Sequence, residues 1–158
     1  MSVLVFTENW DGKFKKLSFE LVSYASKLAE MLNTSAIAMS IGTVADEELK
    51  KLGKYGAAKI IHATGEGLNV LDNQAWVNTI SDVAEKENAT VIVLSNNIMG
   101  KALAPRLSVR MKAGLGAGVS RLPITTEPFV VYKKVYSGNA FADVLIRSEK
   151  KILTLSQN

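Results

Sequence analysis

Thr90-Val91-Ile92-Val93-Leu94-Ser95-Asn96-Asn97 is the stretch whose reading decides the fold of this 158-residue chain. Five consecutive residues from Thr90 are β-branched or apolar with no polar alternation, the pattern of a strand buried on both faces in a parallel sheet covered by helices. The run stops abruptly in Ser95-Asn96-Asn97, which places three small polar side chains at the strand's carboxyl end. Open α/β sheets bind ligands at that edge, so this loop is the first place to look for a site.

The segment after it, Ile98–Val119, carries Leu103, Leu107 and Met111 at helical spacing. Pro105 falls inside that pattern, so the helix either begins just before it or is kinked there. Ala113-Gly-Leu-Gly-Ala-Gly-Val119 then reads as a tight glycine-rich return into a strand. Gly114-x-Gly116-x-Gly118 has the wrong third spacing for a dinucleotide fingerprint and leads into Val-Ser-Arg-Leu-Pro123 rather than a helix. Gly100-Lys101 lacks the upstream glycine and the following hydroxyl residue of a phosphate-binding loop.

Working back towards the N-terminus, strands and helices alternate. Val3–Thr7 is a short apolar run, followed by turn chemistry in Glu8-Asn-Trp-Asp-Gly12. Leu17, Leu21, Tyr24, Ala25, Leu28 and Leu32 recur at helical spacing, which predicts a helix over Ser18–Leu32 ending near Asn33. Ala36–Ile41 is the next strand, closed by Gly42. Thr43-x-x-Asp46 has the form of an N-cap signal for a short helix, Asp46–Lys54. Lys59–Ala63 is a third strand, and Thr64–Asn69 a loop. Asp72 or Asn73 caps a helix whose apolar stripe is Trp76, Val77, Ile80, Val83 and Ala84, with Asn88 as its stop. This alternation predicts parallel strands joined by right-handed crossovers.

Beyond Gly118 the rhythm changes. Pro123 and Pro128 punctuate a loop, Phe129–Val135 and Ala140–Arg147 are extended, and Gly138-Asn139 between them suits a tight hairpin turn. Ile152–Leu155 reads as one more strand. The result is one α/β domain over residues 1–158, with a mostly parallel sheet and an extended hairpin near the C-terminus.

Composition narrows the functional classes. A chain that is 47% hydrophobic and 22% charged is ordinary for a globular domain. No apolar run reaches about 18 residues, so membrane insertion is not expected. Nor does the start carry a basic leader, which points away from a targeting segment. Zero cysteines exclude disulfides and thiolate chemistry. The net charge of +4 comes from scattered lysines rather than one basic face, so no nucleic-acid partner is expected. His62 is the sole histidine and has no second metal ligand near it in sequence. Asp82, Glu85 and Glu87 read as the solvated face of a helix. Trp10 and Trp76 read as packing or partner contacts. No paired carboxylates or nucleophile–base spacing appear, so the chain is expected to have no catalytic site and no metal site. Ser95, Asn96, Asn97, Lys101 and Arg106 remain as candidate loop residues. They either form turns and helix caps, or face an anion or partner subunit at the sheet's edge.

Several stretches together resemble a known family, the N-terminal domain of the electron transfer flavoprotein alpha subunit. They are Val3-Leu-Val-Phe-Thr-Glu8, Leu52-Gly-Lys-Tyr-Gly-Ala-Ala-Lys-Ile-Ile61, Gly100-Lys-Ala-Leu-Ala-Pro-Arg106, Gly114–Leu122 and Lys134-Val-Tyr-Ser-Gly-Asn-Ala-Phe-Ala-Asp143. The resemblance runs almost the whole length of the chain. It implies a three-layer α/β/α fold of the adenine nucleotide alpha hydrolase-like type. It also implies a heterodimer with a beta subunit that carries electrons through FAD, from acyl-CoA or other dehydrogenases to a quinone oxidoreductase. In that family the FAD lies mainly in a C-terminal domain that has no counterpart in these residues, so the resemblance places no cofactor here. It further implies a location in the bacterial cytoplasm, or in the mitochondrial matrix for a eukaryotic source. Homo-oligomers of the isolated domain are a further expectation, if a face that normally meets a partner is left open. The alternative, from another class, is a free-standing nucleotide-binding module of the universal-stress-like kind using the Ser95-Asn96-Asn97 edge. The missing phosphate loop counts against it.

Overall fold

The computed structural model describes residues 1–157, which form one continuous sheet flanked by helices. In chain order the elements are β1 (Ser2–Phe6), α1 (Lys16–Met31), β2 (Ala36–Ile41), α2 (Asp46–Gly53), β3 (Lys59–Ala63), α3 (Asn73–Lys86), β4 (Ala89–Ser95) and α4 (Ile98–Met111). Then follow β5 (Gly114–Val119), β6 (Thr125–Thr126), β7 (Phe129–Val135), β8 (Ala140–Leu145) and β9 (Lys151–Leu155).

Strand order is β3-β2-β1-β4-β9-β5-β7-β6, with β8 paired to β7. The first six of these are mutually parallel, whereas β7 runs antiparallel to β5, β6 and β8. The continuous apolar run of β4 is explained by its place between β1 and β9. Val91 and Val93 enter one core layer with α1 and α2, and Ile92 and Leu94 enter the other with α3 and α4. Period-two side-chain alternation makes both faces apolar when both are covered. The three-layer α/β/α architecture follows.

Asp72 caps α3, its carboxylate accepting from the Gln74 and Ala75 amides at 2.9 and 3.1 Å. Asn33 and Asn88 end α1 and α3 with left-handed backbone, φ 52° at each, a conformation asparagine tolerates better than most residues.

Three sequence expectations need correction or refinement. Thr43 does not cap α2. Its hydroxyl instead donates to Asn69 Oδ1 at 3.1 Å, and the N-cap position is Ala45, which makes no side-chain bond. Pro105 does not begin α4: the helix starts at Ile98, so of the two alternatives the proline lies inside the helix, at an exposed position. The glycine-rich stretch is not a return but strand β5 itself, parallel to β9. A Cβ at Gly116 would lie 2.9 Å from Leu153 and 3.1 Å from Ile146, so neighbouring side chains fill the space a larger residue would need. The hairpin turn falls at Tyr136–Asn139, between the two extended stretches as expected, with positive φ at Tyr136, Ser137 and Gly138.

Candidate functional site

The strand order reverses direction at β1: the chain steps outward to β2 and β3, then returns to β4 on the other side. The carboxyl ends of β1 and β4 therefore flank the crevice where such sheets usually take ligands. Glu8 follows β1 and Ser95-Asn96-Asn97 closes β4, so the topology brings together residues that are far apart in sequence.

This crevice is closed from within. One oxygen of the buried Glu8 carboxylate accepts from Ser95 Oγ at 2.7 Å, and the other accepts from Asn97 Nδ2 at 2.9 Å. Its backbone carbonyl accepts from Ser18 Oγ on α1 at 2.7 Å. Asn97 also caps α4, its Oδ1 accepting from the Gly100 amide at 2.9 Å. Gly100 is required by the same packing, because a Cβ there would fall 1.6 Å from the Ser95 carbonyl oxygen. Asn96 ties the neighbouring strands. Its Oδ1 accepts from Thr154 Oγ1 at 2.9 Å, its Nδ2 donates to Ser156 Oγ at 3.3 Å, and Thr154 Oγ1 in turn accepts from the Gly118 amide at 2.9 Å.

The polar triplet thus has partners within the protein. A phosphate placed at this edge would face the Glu8 carboxylate, and burying the two together without a compensating cation is costly. Glu8 was invisible as a site residue in the sequence, where it reads as the first residue of a turn.

Lys101 and Arg106 lie on α4 rather than in a loop, and they part company. Lys101 lines a small cleft of about 350 Å³ with Asn96, Ser156, Lys133 and Lys134. Arg106 donates to the Ala102 carbonyl of its own helix at 2.6 Å, exposed to solvent and outside that cleft. His62 Nε2 is bonded to the Gly42 carbonyl at 2.5 Å. Trp76 packs edge-on against Phe6 in the core, and Trp10 lies under Lys15. Among the described residues no three His, Cys, Asp or Glu side chains gather as a metal site. No helix among them is long and apolar enough to cross a membrane.

Two other surfaces stand out. The β7–β8 hairpin presents an outer face on which Arg121 stacks over Tyr132 at 3.8 Å and Tyr132 stacks on Phe141 at 5.1 Å. Phe141 is 58% exposed and Leu145 43%, while the inner side, Phe129, Val131 and Ile146, is buried against the α1 layer. A second concavity, about 830 Å³, lies between α1 and the connection from β5 to β6.

Residues 3–158 match the family described as the electron transfer flavoprotein domain. The acryloyl-CoA reductase electron transfer subunit beta of Anaerotignum propionicum is 31% identical over 128 residues, 81% of this chain and 35% of that protein. The electron transfer flavoprotein subunit alpha of Clostridium acetobutylicum is 27% identical over 145 residues, 90% of this chain and 43% of the relative. The electron transfer flavoprotein subunit alpha of Bacillus subtilis is 26% identical over 156 residues, 99% of this chain and 47% of the relative. The chain therefore spans less than half the length of these curated relatives.

Proposed function

Since this chain belongs to the electron transfer flavoprotein domain family, we propose that it is the scaffold and partner-docking domain of an alpha-type subunit. In this reading it works within a heterodimeric carrier, docked on a beta-type subunit. The carrier passes electrons through FAD from dehydrogenases to a quinone oxidoreductase, and this domain supplies shape and contacts rather than bond chemistry. The FAD is held by polypeptide other than these residues. The bacterial relatives support a cytoplasmic setting.

The observation that carries the reading is the outer face of the β7–β8 hairpin. Phe141 and Leu145 stand exposed on an edge strand whose other face is anchored in the core. Natural proteins rarely leave such an edge open unless a partner covers it. The closed crevice at Glu8 weighs against the free-standing nucleotide module, because the fold's usual ligand edge is occupied by the protein's own side chains. Co-expression with a beta-type subunit of the same family tests the docking claim. A complex that survives size-exclusion chromatography is expected, and separate elution of the two chains would refute it.

A further inference from the structure

We propose that the groove between α1 and the β5–β6 connection is a binding site for a flat organic anion, a small aromatic ring system carrying one acidic group. Its lining does not include the exposed hairpin residues Phe141 and Leu145. Its volume of about 830 Å³ falls within the range of small-molecule sites.

The groove's lining is divided by chemistry. At one end Phe19 and Tyr55 stack in parallel, with centroids 4.5 Å apart and planes 21° apart, and Tyr55 remains 44% exposed. A further ring can continue that stack on the open side of Tyr55. Leu122 and Leu155 add apolar wall. Tyr24 contributes its ring rather than its hydroxyl, which donates to the Arg121 carbonyl at 3.0 Å. Burial pushes that phenol well above its ordinary value, so it stays a neutral donor.

Lys16, Lys27 and Arg121 also line the groove, against the single carboxylate of Glu20. Lys16 is paired with Glu20 at 3.3 Å. Among the described residues Lys27 and Arg121 have no carboxylate partner, and although Arg121 lies over the Tyr132 ring at 3.8 Å, a stacked guanidinium keeps N–H donors for an acidic group.

The test is a fluorescence titration of the whole chain with anilinonaphthalene sulfonate, a flat aromatic anion. One dye per chain is expected. Tyr55→Ala and the double variant Lys27→Glu/Arg121→Glu are each expected to weaken binding by at least about threefold, as loss of a stacking face or of a charge pair does. These residues are on the surface, and circular dichroism of each variant checks that it stays folded. Val109→Ser, exposed on α4 and outside the groove lining, serves as a control and is expected to leave the titration unchanged. Non-saturating binding, a drop with Val109→Ser, or a change of less than about threefold in either groove variant overturns the proposal.

Discussion

The Glu8 carboxylate at the end of β1 accepts the Ser95 hydroxyl of β4 across 2.7 Å, joining two residues separated by 87 positions at the point where the sheet's order reverses. The bond lies where a ligand would sit in many sheets of this architecture, and it couples the first strand to the central one. That internal closure weighs against a ligand at this edge.

Removing that acid exposes its worth. Glu8→Ala leaves the Ser95 hydroxyl and the Asn97 amide without their shared acceptor in a buried setting. Hydrogen bonds to charged groups typically contribute more than neutral ones, so a loss of about 2–3 kcal/mol is expected in urea unfolding. Ser95→Ala removes one of the two bonds and should cost less. Equal stability of Glu8→Ala and wild type would show that the bridge is incidental.

Gly100→Ala is predicted to be more damaging than its size suggests. The added methyl meets the Ser95 carbonyl oxygen at 1.6 Å, and neither backbone segment can move without breaking the Asn97 cap or the end of β4. A loss of about 3 kcal/mol or more is expected by thermal or chemical unfolding. A variant of near wild-type stability would mean that α4 does not lie flat on the strand end.

Glu48 predicts a pH dependence. Its carboxyl accepts from Lys51 Nζ at 2.7 Å and from the Phe14 amide at 3.0 Å, and these bonds hold it below the ordinary carboxylate value. A group depressed in the folded state contributes stability above its unfolded value and loses it as pH falls through the folded one. Glu48→Gln should therefore be less stable than wild type at neutral pH, with the gap closing in acid. Urea unfolding at a series of pH values measures this, and a gap independent of pH would contradict the assignment.

Flavin content is the fourth expectation. The purified chain should be colourless, and FAD added in excess should be lost on desalting, since the redox group is assigned to other polypeptide. A yellow protein with stoichiometric flavin absorbance would overturn that assignment.

Much of this architecture was legible in local pattern, and the gaps have physical causes. Thr90–Ser95 announced a doubly buried strand because period-two alternation puts apolar residues on both faces, and Ala36–Ile41 and Lys59–Ala63 were read to the residue. Strand order was not legible. Nothing local to Ile152–Leu155 says that the last strand inserts between β4 and β5. The glycines of β5 looked like a turn because their reason, the side chains of Ile146 and Leu153, lies outside the segment. Thr43 failed as a cap because Asn69, from the β3–α3 loop, engages its hydroxyl. Of the candidate site, Ser95, Asn96 and Asn97 were found by their place at a strand end. Glu8, which organises two of them, was missed because the pairing is long-range.

The most direct measurement of the docking claim is a fluorescence-anisotropy titration of a labelled beta-type subunit with this chain and with its Phe141→Ser/Leu145→Ser variant. Both residues are partly exposed and Phe141 stacks on Tyr132, so the variant should lose about 1–2 kcal/mol of stability and remain folded. Loss of two apolar anchors is expected to weaken binding by about tenfold or more. Saturable binding by the wild-type chain, lost or sharply weakened in the variant, is the predicted result; equal affinity of the two proteins, or no binding by either, would contradict it.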